Sequence, residues 1–367
     1  MNANVRRLFV ITFAIILIGL LTIYSASYHD GPPKDKNVFL RQLIWVVFGI
    51  AAFFVFANLN YRRFYDLSFV LYGLSISLLL LVLIFGKIRL GAQRWLELGG
   101  FNFQPSELAK FSLILFLSRY LSHKDISSVK LSVRDFGYFR SMVVPAVLAA
   151  IPAILVLEQP DLGTAVIFLL TFFSLIFISG VKKRYIFSLL AAGIFALPVF
   201  WRLLRDYQKE RLLVFLNPNI DPLGAGYTVI QSKIAVGSGQ LFGRGWLSGT
   251  QNTLNFLPER HTDFIFSCVA ESSGFLGAFI LLFLFYLLLR ECMNIAYLTK
   301  DPFGRLVATG VAVMLSLQAL INISMTIGLL PVVGIPLPLV SYGGTSMLVS
   351  CAGIGIIANI SKRRMVF

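Results

Sequence analysis

Charged residues are scarce in this chain. Only 13% of its 367 residues are Asp, Glu, Lys or Arg, whereas 57% are hydrophobic and the mean hydropathy is +0.81. Soluble domains carry about 25% charged and about 45–50% apolar residues. The polar surface is therefore too small to cover a water-soluble globule, which excludes soluble enzymes, disordered chains and secreted disulfide scaffolds. The composition predicts a polytopic membrane protein.

Cysteine and the common cofactor motifs are also nearly absent. The chain has three cysteines and no CxxC, and Cys268 and Cys292 fall on one predicted helix, about 36 Å apart. We therefore expect free, buried thiols rather than disulfides or metal ligands. The chain contains no GxGxxG, P-loop or HExxH sequence, so neither a nucleotide cradle nor a zinc-protease site is indicated.

Long apolar stretches fill most of the chain. A bilayer span takes about 20 apolar residues, and stretches of this length predict an all-α polytopic membrane protein with about ten transmembrane helices. We expect one membrane-embedded domain over residues 1–367. The predicted spans lie near 8–27, 38–57, 65–86, 104–121, 142–157, 164–180, 185–201, 265–289, 306–327 and 340–360.

Basic residues are distributed unevenly between the two sides of this topology. The chain has 32 Lys and Arg against 17 Asp and Glu, a net charge of +15. With the amino terminus in the cytoplasm, the predicted inner segments hold eighteen basic residues and the short outer loops hold six. This is the positive bias typical of cytoplasmic loops. Both termini are therefore predicted inside, and the surplus charge reflects topology rather than nucleic-acid binding.

One connection, from about residue 202 to 264, is much longer than the others. Its first part, to Leu216, is predicted to continue the seventh helix into the headgroup layer, until Asn217-Pro218-Asn219 ends it. Apolar residues at helical spacing over 227–234 predict a short interfacial helix. The topology places this loop outside the cytoplasm, and a long, partly ordered loop is where function is expected.

Asp263 stands at the start of the eighth predicted span, beside Thr262. Either residue could cap the helix. The alternative is a functional site, because Glu259, Arg260 and His261 precede it and a helix start needs only one cap. The partial positive charge of the helix amino end favours an ionised Asp263 and attracts phosphate oxygens.

A second polar group lies at the outer end of the fourth predicted span, QPSELAK at 104–110. Glu107 and Lys110 are three residues apart and share one helix face. They either neutralise each other within a buried helix or form the polar wall of a cavity. Upstream, Arg94 offers a cation and Trp95 an aromatic ring, although such a tryptophan is equally typical of a membrane anchor.

Two further outer turns combine polar and helix-breaking residues. In EQPDLGT at 158–164, Asp161 either caps the next helix or, with Glu158, binds a divalent ion through oxygen. In PLPLVSYGGT at 336–345, the glycine pair beginning at Gly343 allows close approach of another helix or of a ligand. These clusters converge on one leaflet and indicate that an amphiphilic anionic substrate is handled there.

At these motifs the sequence resembles the SEDS family (shape, elongation, division and sporulation) of bacterial membrane glycosyltransferases. The resemblance covers essentially the whole chain and rests on QPSELAK at 104–110, EQPDLGT at 158–164, LPERHTDFIF at 257–266 and GLLPVVGIPLPLVSYGG at 328–344. Arg260 and GRGWLSGTQ at 243–251 resemble the elongation branch rather than the division branch. The sequence departs from the family at Asn102, where some elongation members are basic, and at Ser272, which replaces the second acid of the usual AEE.

The resemblance implies a reaction. The family polymerises peptidoglycan by attack of an acceptor hydroxyl on the anomeric carbon of lipid II, with inversion and loss of undecaprenyl pyrophosphate. Asp263 matches the family's catalytic aspartate, as general base or as ligand of a divalent ion such as Mg²⁺ or Mn²⁺. At an ordinary pKa of about 3.9 it would be a weak base, so we expect late proton transfer or help from a metal. The residues expected to bind substrate are Arg94, Gln104, Glu107, Lys110, Asp161, Arg260, His261, Thr262, Ser341 and Gly343.

The resemblance also implies partners and a location. We expect contact with lipid II and membrane lipids, a class B penicillin-binding protein (a transpeptidase) and other elongation-complex proteins, but not nucleic acid. The expected place is the bacterial cytoplasmic (inner) membrane with the active site facing outward, and the expected role is cell elongation and rod-shape maintenance. Two other functions stay open, a non-catalytic scaffold for a transpeptidase and a lipid II flippase, which should alternate access around charges near the midplane.

Overall fold

The computed structural model describes residues 3–28, 36–89, 92–98, 101–122, 137–222, 224–249 and 256–363, and they form a helical bundle. The first six helices are α1 (Ala3–Ser27), α2 (Lys36–Asn58), α3 (Arg62–Phe85), α4 (Pro105–Leu121), α5 (Val144–Glu158, preceded by a π-helical turn, Phe139–Val143) and α6 (Leu162–Ser179). The next six are α7 (Lys183–Leu203), α8 (Asp206–Leu216), α9 (Ala225–Ser238), α10 (Ile265–Leu298), α11 (Pro302–Thr326) and α12 (Gly344–Arg363), with a 3₁₀ turn, Pro218–Ile220, between α8 and α9.

Each of the predicted apolar stretches coincides with one of these helices. In the described part of the chain, eight helices are long and apolar enough to cross a membrane: α1, α2, α3, α5 with its π-helical turn, α6, α10, α11 and α12. The 17-residue α4 and α7, which contains Pro198, coincide with the two remaining predicted spans. The prediction of an all-α polytopic membrane protein is confirmed.

Helix α7 does not continue to Leu216, contrary to the sequence-based expectation. The chain turns at Arg205, whose backbone is extended, and α8 begins as a separate helix at Asp206. The N–H of Arg205 donates to Oε1 of Gln208 at 3.0 Å. This bond satisfies a backbone group that a continuous helix would have bonded internally. The predicted break at Asn217-Pro218-Asn219 and the predicted helix over 227–234 are both present.

A small antiparallel sheet, which the sequence analysis did not predict, lies between α3 and α4. Its strands are β1 (Lys87–Arg89), β2 (Ala92–Leu98) and β3 (Phe101–Phe103), in that order. Strand β3 leads directly into α4, so the sheet is anchored to the bundle. One end of the bundle, which we call the loop end, carries this sheet, α8, α9 and the turns before α10 and α12.

Helix α12 is almost entirely buried and is packed closely by its neighbours. A Cβ on Gly355 would lie 2.6 Å from the carbonyl oxygen of Phe53 in α2, and one on Gly353 would lie 2.9 Å from Val311 in α11. Small residues let membrane helices approach at such distances. Nearer its end, Asn359 donates to the carbonyl of Ala57 at 2.9 Å, which ties α12 to the end of α2.

Helix α10 is broken at Gly274, where φ is 66° and ψ is −163°, a conformation essentially restricted to glycine. The freed backbone groups are bonded by the glycine-rich segment after α9: the N–H of Phe275 donates to the carbonyl of Gln240 at 2.8 Å, and the N–H of Arg244 donates to the carbonyl of Glu271 at 2.9 Å. A break in a membrane helix is tolerated when other protein groups satisfy its backbone in this way. The glycine-rich segment is therefore an integral part of the bundle.

The three cysteines, Cys268, Cys292 and Cys351, are buried and free. The prediction of buried thiols without disulfides is confirmed.

Candidate active site

Asp263 lies in the turn of residues 256–264 that leads into α10. The N–H groups of Thr262 and Asp263 both donate to the carbonyl of Glu259 at 3.1 Å, and Glu259 has a positive φ of 51°. The N-cap of α10 is Phe264, which makes no side-chain capping bond, and no other side chain in the described part of the chain bonds to the first turn of the helix. The fold thus does not use Asp263 as a helix cap, and its carboxylate is left for another role.

The loop that precedes α12 is fastened to this turn. Ser341 Oγ donates to the carbonyl of Thr262 at 2.6 Å and accepts from the N–H of Leu337 at 2.8 Å. The N–H of Tyr342 donates to the carbonyl of His261 at 2.8 Å, and the two rings meet edge to face. Three predicted site residues, His261, Thr262 and Ser341, are therefore brought together, in contacts that hold the two loops in register.

Strand β2 carries Arg94 to the turn between α5 and α6. Its Nε donates to the carbonyl of Gln159 at 3.3 Å and its Nη2 to the carbonyl of Pro160, while Nε lies 3.9 Å from Asp161 Oδ2. The carboxylate of Asp161 accepts from both the N–H (3.1 Å) and the hydroxyl (2.9 Å) of Thr164. Asp161 is thus the cap of α6, one of its two predicted alternatives, and it also orients Arg94.

Gly334 lies where Asp263 and Arg94 face each other. Its φ of +70° is one that side-chain-bearing residues rarely adopt. A Cβ at this position would lie 3.3 Å from Asp263 Oδ2 and 3.7 Å from Arg94 Nη1. The carboxylate and the guanidinium therefore face the same small space, and the missing side chain keeps it open.

The half-buried position of Asp263 changes its acidity. Loss of solvation, followed by the negative charge of Glu259, raises the pKa of Asp263 to about 7 against the opposing charge of Arg94. An unperturbed aspartate, with a pKa of about 3.9, is a poor proton acceptor at neutral pH. A pKa near the working pH is what a general base requires. The ordinary pKa assumed from the sequence is therefore wrong for Asp263, because that assumption took no account of burial.

Arg211 on α8 is a second cation near Asp263, and the sequence analysis did not select it. Its Nη1 donates to the carbonyl of Val332 at 3.2 Å, two residues before Gly334. Its positive charge acts to lower the pKa of Asp263. Several charged residues share α8 with it. No spacing distinguishes Arg211 among them, so only the fold identifies it.

The predicted pair on α4 is formed and is buried. Lys110 Nζ donates to Glu107 Oε1 at 2.7 Å, and each side chain is only 2% exposed. The backbone N–H of Gln104 donates to Thr345 Oγ1 at 3.1 Å, which joins the start of α4 to the start of α12. These contacts support the interpretation in which Glu107 and Lys110 neutralise each other. Substrate binding by Gln104, Glu107 and Lys110 stays a prediction.

The remaining predicted residues have neighbours within the protein. Arg260 is 5% exposed, and its carbonyl accepts from Cys268 Sγ at 3.4 Å. The N–H of Gly343 donates to Gln42 Oε1 at 3.2 Å. Arg260 thus lies inside the turn rather than on its surface, and the N–H of Gly343 is occupied. Their contacts with substrate stay predictions.

The carboxylates near this centre bear on the predicted divalent ion. Within the residues that the structure describes, no three His, Cys, Asp or Glu side chains group closely enough to hold an ion. Asp161 is engaged by Thr164, and Glu158 pairs with Arg205 at 2.8 Å. Binding of a divalent ion by Asp263 stays a prediction.

The helices and this centre define a multi-span membrane protein with a carboxylate–guanidinium site at one end of the bundle. The chain belongs to the SEDS family of FtsW, RodA and SpoVE, because the family model described as "Cell cycle protein" matches residues 6–365. This confirms the family predicted from the four motifs.

Individual relatives agree with this assignment over nearly the full chain. The chain is 41% identical over 354 residues to the peptidoglycan glycosyltransferase MrdB of Escherichia coli K12, covering 96% of this chain and 93% of that protein. It is 33% identical to a solved chain from work on coordination of polymerization and crosslinking by a peptidoglycan synthase complex, with a TM-score of 0.80 and 97% of each chain covered. It is 31% identical to the crystal structure of Thermus thermophilus RodA, with a TM-score of 0.70 and 97% and 96% covered.

Proposed function

We propose that this chain is a peptidoglycan glycosyltransferase of the RodA type, which polymerises glycan strands from lipid II during cell elongation and rod-shape maintenance. The observation that carries the proposal is the position of the Asp263 carboxylate. It is half-buried, it does not cap α10, and it faces Arg94 across Gly334. A sugar diphosphate with a lipid tail needs a base and cations beside apolar helices. The identity to MrdB supports this activity, and we treat residues 1–367 as one domain with 202–264 as its extracytoplasmic loop.

The transfer forms one bond and breaks one bond. The acceptor hydroxyl oxygen bonds to the anomeric carbon of the donor while the bond from that carbon to the diphosphate oxygen breaks, with inversion. Ionised Asp263 accepts the hydroxyl proton, and undecaprenyl pyrophosphate leaves with the electron pair. Glycoside hydrolases need a second carboxyl group to protonate a poor leaving group. Pyrophosphate leaves without that help, so one carboxylate suffices.

Arg94 and Arg211 are the cations placed to stabilise the leaving diphosphate. Arg94 is held by two backbone carbonyls and by Asp161, and Arg211 is held by the carbonyl of Val332. Cations fixed in advance stabilise developing charge without reorganisation. A divalent ion held by Asp263 and the substrate phosphates would neutralise the same charge. Lys110, which pairs with Glu107, and Arg260, inside its turn, are less well placed for this role.

We place the loop end on the outer face of the cytoplasmic membrane, with both termini in the cytoplasm. The support is the eighteen-to-six distribution of basic residues. Helix α6 begins at the loop end and ends at the opposite end, where Lys182, Lys183 and Arg184 follow it. Helix α12 likewise ends in Lys362 and Arg363. Two clusters of positive charge therefore lie at the end that we place inside.

Single cysteines test this orientation. Glu210 on α8 and Lys182 before α7 are both exposed, at opposite ends of the bundle. In intact spheroplasts an impermeant maleimide should label Glu210→Cys and should label Lys182→Cys only after permeabilisation. The native cysteines are buried and give a low background. The reverse labelling pattern would contradict the orientation and place Asp263 in the cytoplasm.

We propose a class B penicillin-binding protein as the partner, seated at the outer ends of α10 and α11, within an elongation complex. The structural match to a peptidoglycan synthase complex supports a transpeptidase partner. On α10, Phe275, Phe279 and Phe283 stack along one face and are 62%, 54% and 48% exposed. An aromatic stripe of this kind can pack against a membrane helix of a partner or against membrane lipid.

Purified protein in vesicles with lipid II tests the function. We expect glycan chains to form from lipid II, with release of undecaprenyl pyrophosphate, measured by gel electrophoresis of the product. A flippase would move lipid II between leaflets and make no polymer, and a scaffold would do neither. Vesicles that contain folded protein and lipid II on both leaflets, yet form no glycan with or without the transpeptidase, would contradict the proposal.

A further inference from the structure

Asn322 is a fully buried amide near the end of α11, and it contacts the backbone of the candidate active site. Its Nδ2 donates to the carbonyl of Asp263 at 2.8 Å and to the carbonyl of Ile335 at 2.7 Å. Both of its amide hydrogens are thereby used. Ile335 adjoins Gly334, the residue across which Asp263 faces Arg94. One side chain therefore holds both loops that form the centre.

The burial of Asn322 costs free energy, because only one of its two polar side-chain atoms is hydrogen-bonded within the described residues. Its Oδ1 has no hydrogen-bond partner in the described part of the chain. An unpaired buried polar atom destabilises a protein. The two bonds that Nδ2 makes to the carbonyls of Asp263 and Ile335 are the contacts that offset this cost.

Gln318 provides the matched comparison within the same helix. It lies four residues before Asn322, on the same face of α11, and it has no exposed surface. Neither its nitrogen nor its oxygen has a hydrogen-bond partner among the described residues. The two buried amides differ chiefly in that only Asn322 bonds to the loops of the centre.

We propose that Asn322 is a positioning residue. Its two hydrogen bonds fix the backbone of Asp263 and Ile335 and so hold the carboxylate of Asp263 at the correct distances from Arg94 and from the acceptor hydroxyl. The proposal rests on the proposed function, in which Asp263 is the base. Displacement of a reacting group by about 1 Å can lower a rate by about 10²-fold. Asn322 touches no reacting atom, so its effect passes through Asp263.

The test compares three variants with the wild-type protein in lipid II polymerisation. Asn322→Leu removes both bonds and should lower kcat by about 10- to 100-fold, with the KM for lipid II within about threefold of wild type, because the cations that bind diphosphate are unchanged. Asn322→Asp, protonated when buried, can keep one of the two bonds and should fall between Asn322→Leu and wild type. Gln318→Leu should keep wild-type kcat and KM. Rates are normalised to the folded fraction, so a loss of fold is not counted as a loss of rate.

The outcomes separate this inference from the proposed function. If wild type makes glycan, Asp263→Asn does not, and Asn322→Leu stays within twofold of wild type, only the positioning role is overturned. An equal loss of kcat in Gln318→Leu also overturns it, because any buried amide would then matter. If Asn322→Leu does not fold, a wild-type kcat in folded Asn322→Asp overturns it. Wild-type protein that makes no glycan overturns the proposed function and this inference with it.

Discussion

Replacement of Asp263 by Asn should lower glycan polymerisation by at least about 10²-fold, since loss of a general base typically costs about 10²–10⁴-fold in rate. The substitution keeps the size of the side chain but removes the negative charge that accepts the proton. Because α10 has no side-chain cap, no cap is lost. Thermal unfolding in detergent should occur at or above the wild-type temperature, because the fold favours the uncharged form of this side chain. Co-purification with the transpeptidase should stay near wild type.

Asp263→Glu serves as the companion variant. It restores the charge but displaces the carboxylate by about 1 Å, and a displacement of that size can cost about 10²-fold in rate. We therefore expect poor rescue. Folded Asp263→Asn protein that polymerises within a few-fold of the wild-type rate would remove Asp263 from the chemistry.

Loss of one partner of the Glu107–Lys110 pair should have the largest effect on stability. Both side chains are 2% exposed, and their charged atoms lie 2.7 Å apart. Breaking such a pair leaves an uncompensated buried charge, which costs about 3–5 kcal/mol. Glu107→Gln and Lys110→Met should each lower the unfolding temperature in detergent, while the double variant Glu107→Gln/Lys110→Met should recover most of the loss.

Polymerase activity of the double variant decides between the two interpretations of the pair. Full activity would show that the pair is structural and that the predicted substrate binding by Glu107 and Lys110 is wrong. Recovered stability without recovered activity would support a role at the substrate. Single variants as stable as the wild-type protein would contradict the buried ion pair itself.

The membrane helices were predictable because a span is a local property of about 20 residues. The sheet before α4 was not predictable, since β1 and β3 have three residues each and carry no alternating pattern long enough to read. The separate start of α8 depends on the extended backbone of Arg205, which composition does not reveal. Hydropathy therefore determined the bundle but not the details of its loop end.

The candidate site was predictable only in part. The concentration of polar residues in the predicted outer turns identified Asp263, Arg94 and Asp161 as candidates. That these three residues lie close together could not be predicted, because it depends on loops far apart in the chain. Asn322 was missed within an apolar span, although a polar side chain in a membrane helix is itself a signal of function. The raised pKa of Asp263 could not be predicted either, because it follows from burial and from the charge of Glu259.

The pH dependence of polymerisation by purified protein tests the central claim, that ionised Asp263 is the base. The pKa of Asp263 in the folded protein is raised to about 7, above its value in the unfolded chain. The fold therefore favours the protonated form of Asp263. The stability that this side chain contributes declines as the pH rises toward 7. The catalytic form is the ionised one, so the rate should rise through a pH of about 7 and level off above it. The residual activity of Asp263→Asn should lack this rise. A wild-type rate that is flat between about pH 5 and pH 8 would contradict the account, as would the same rise in Asp263→Asn.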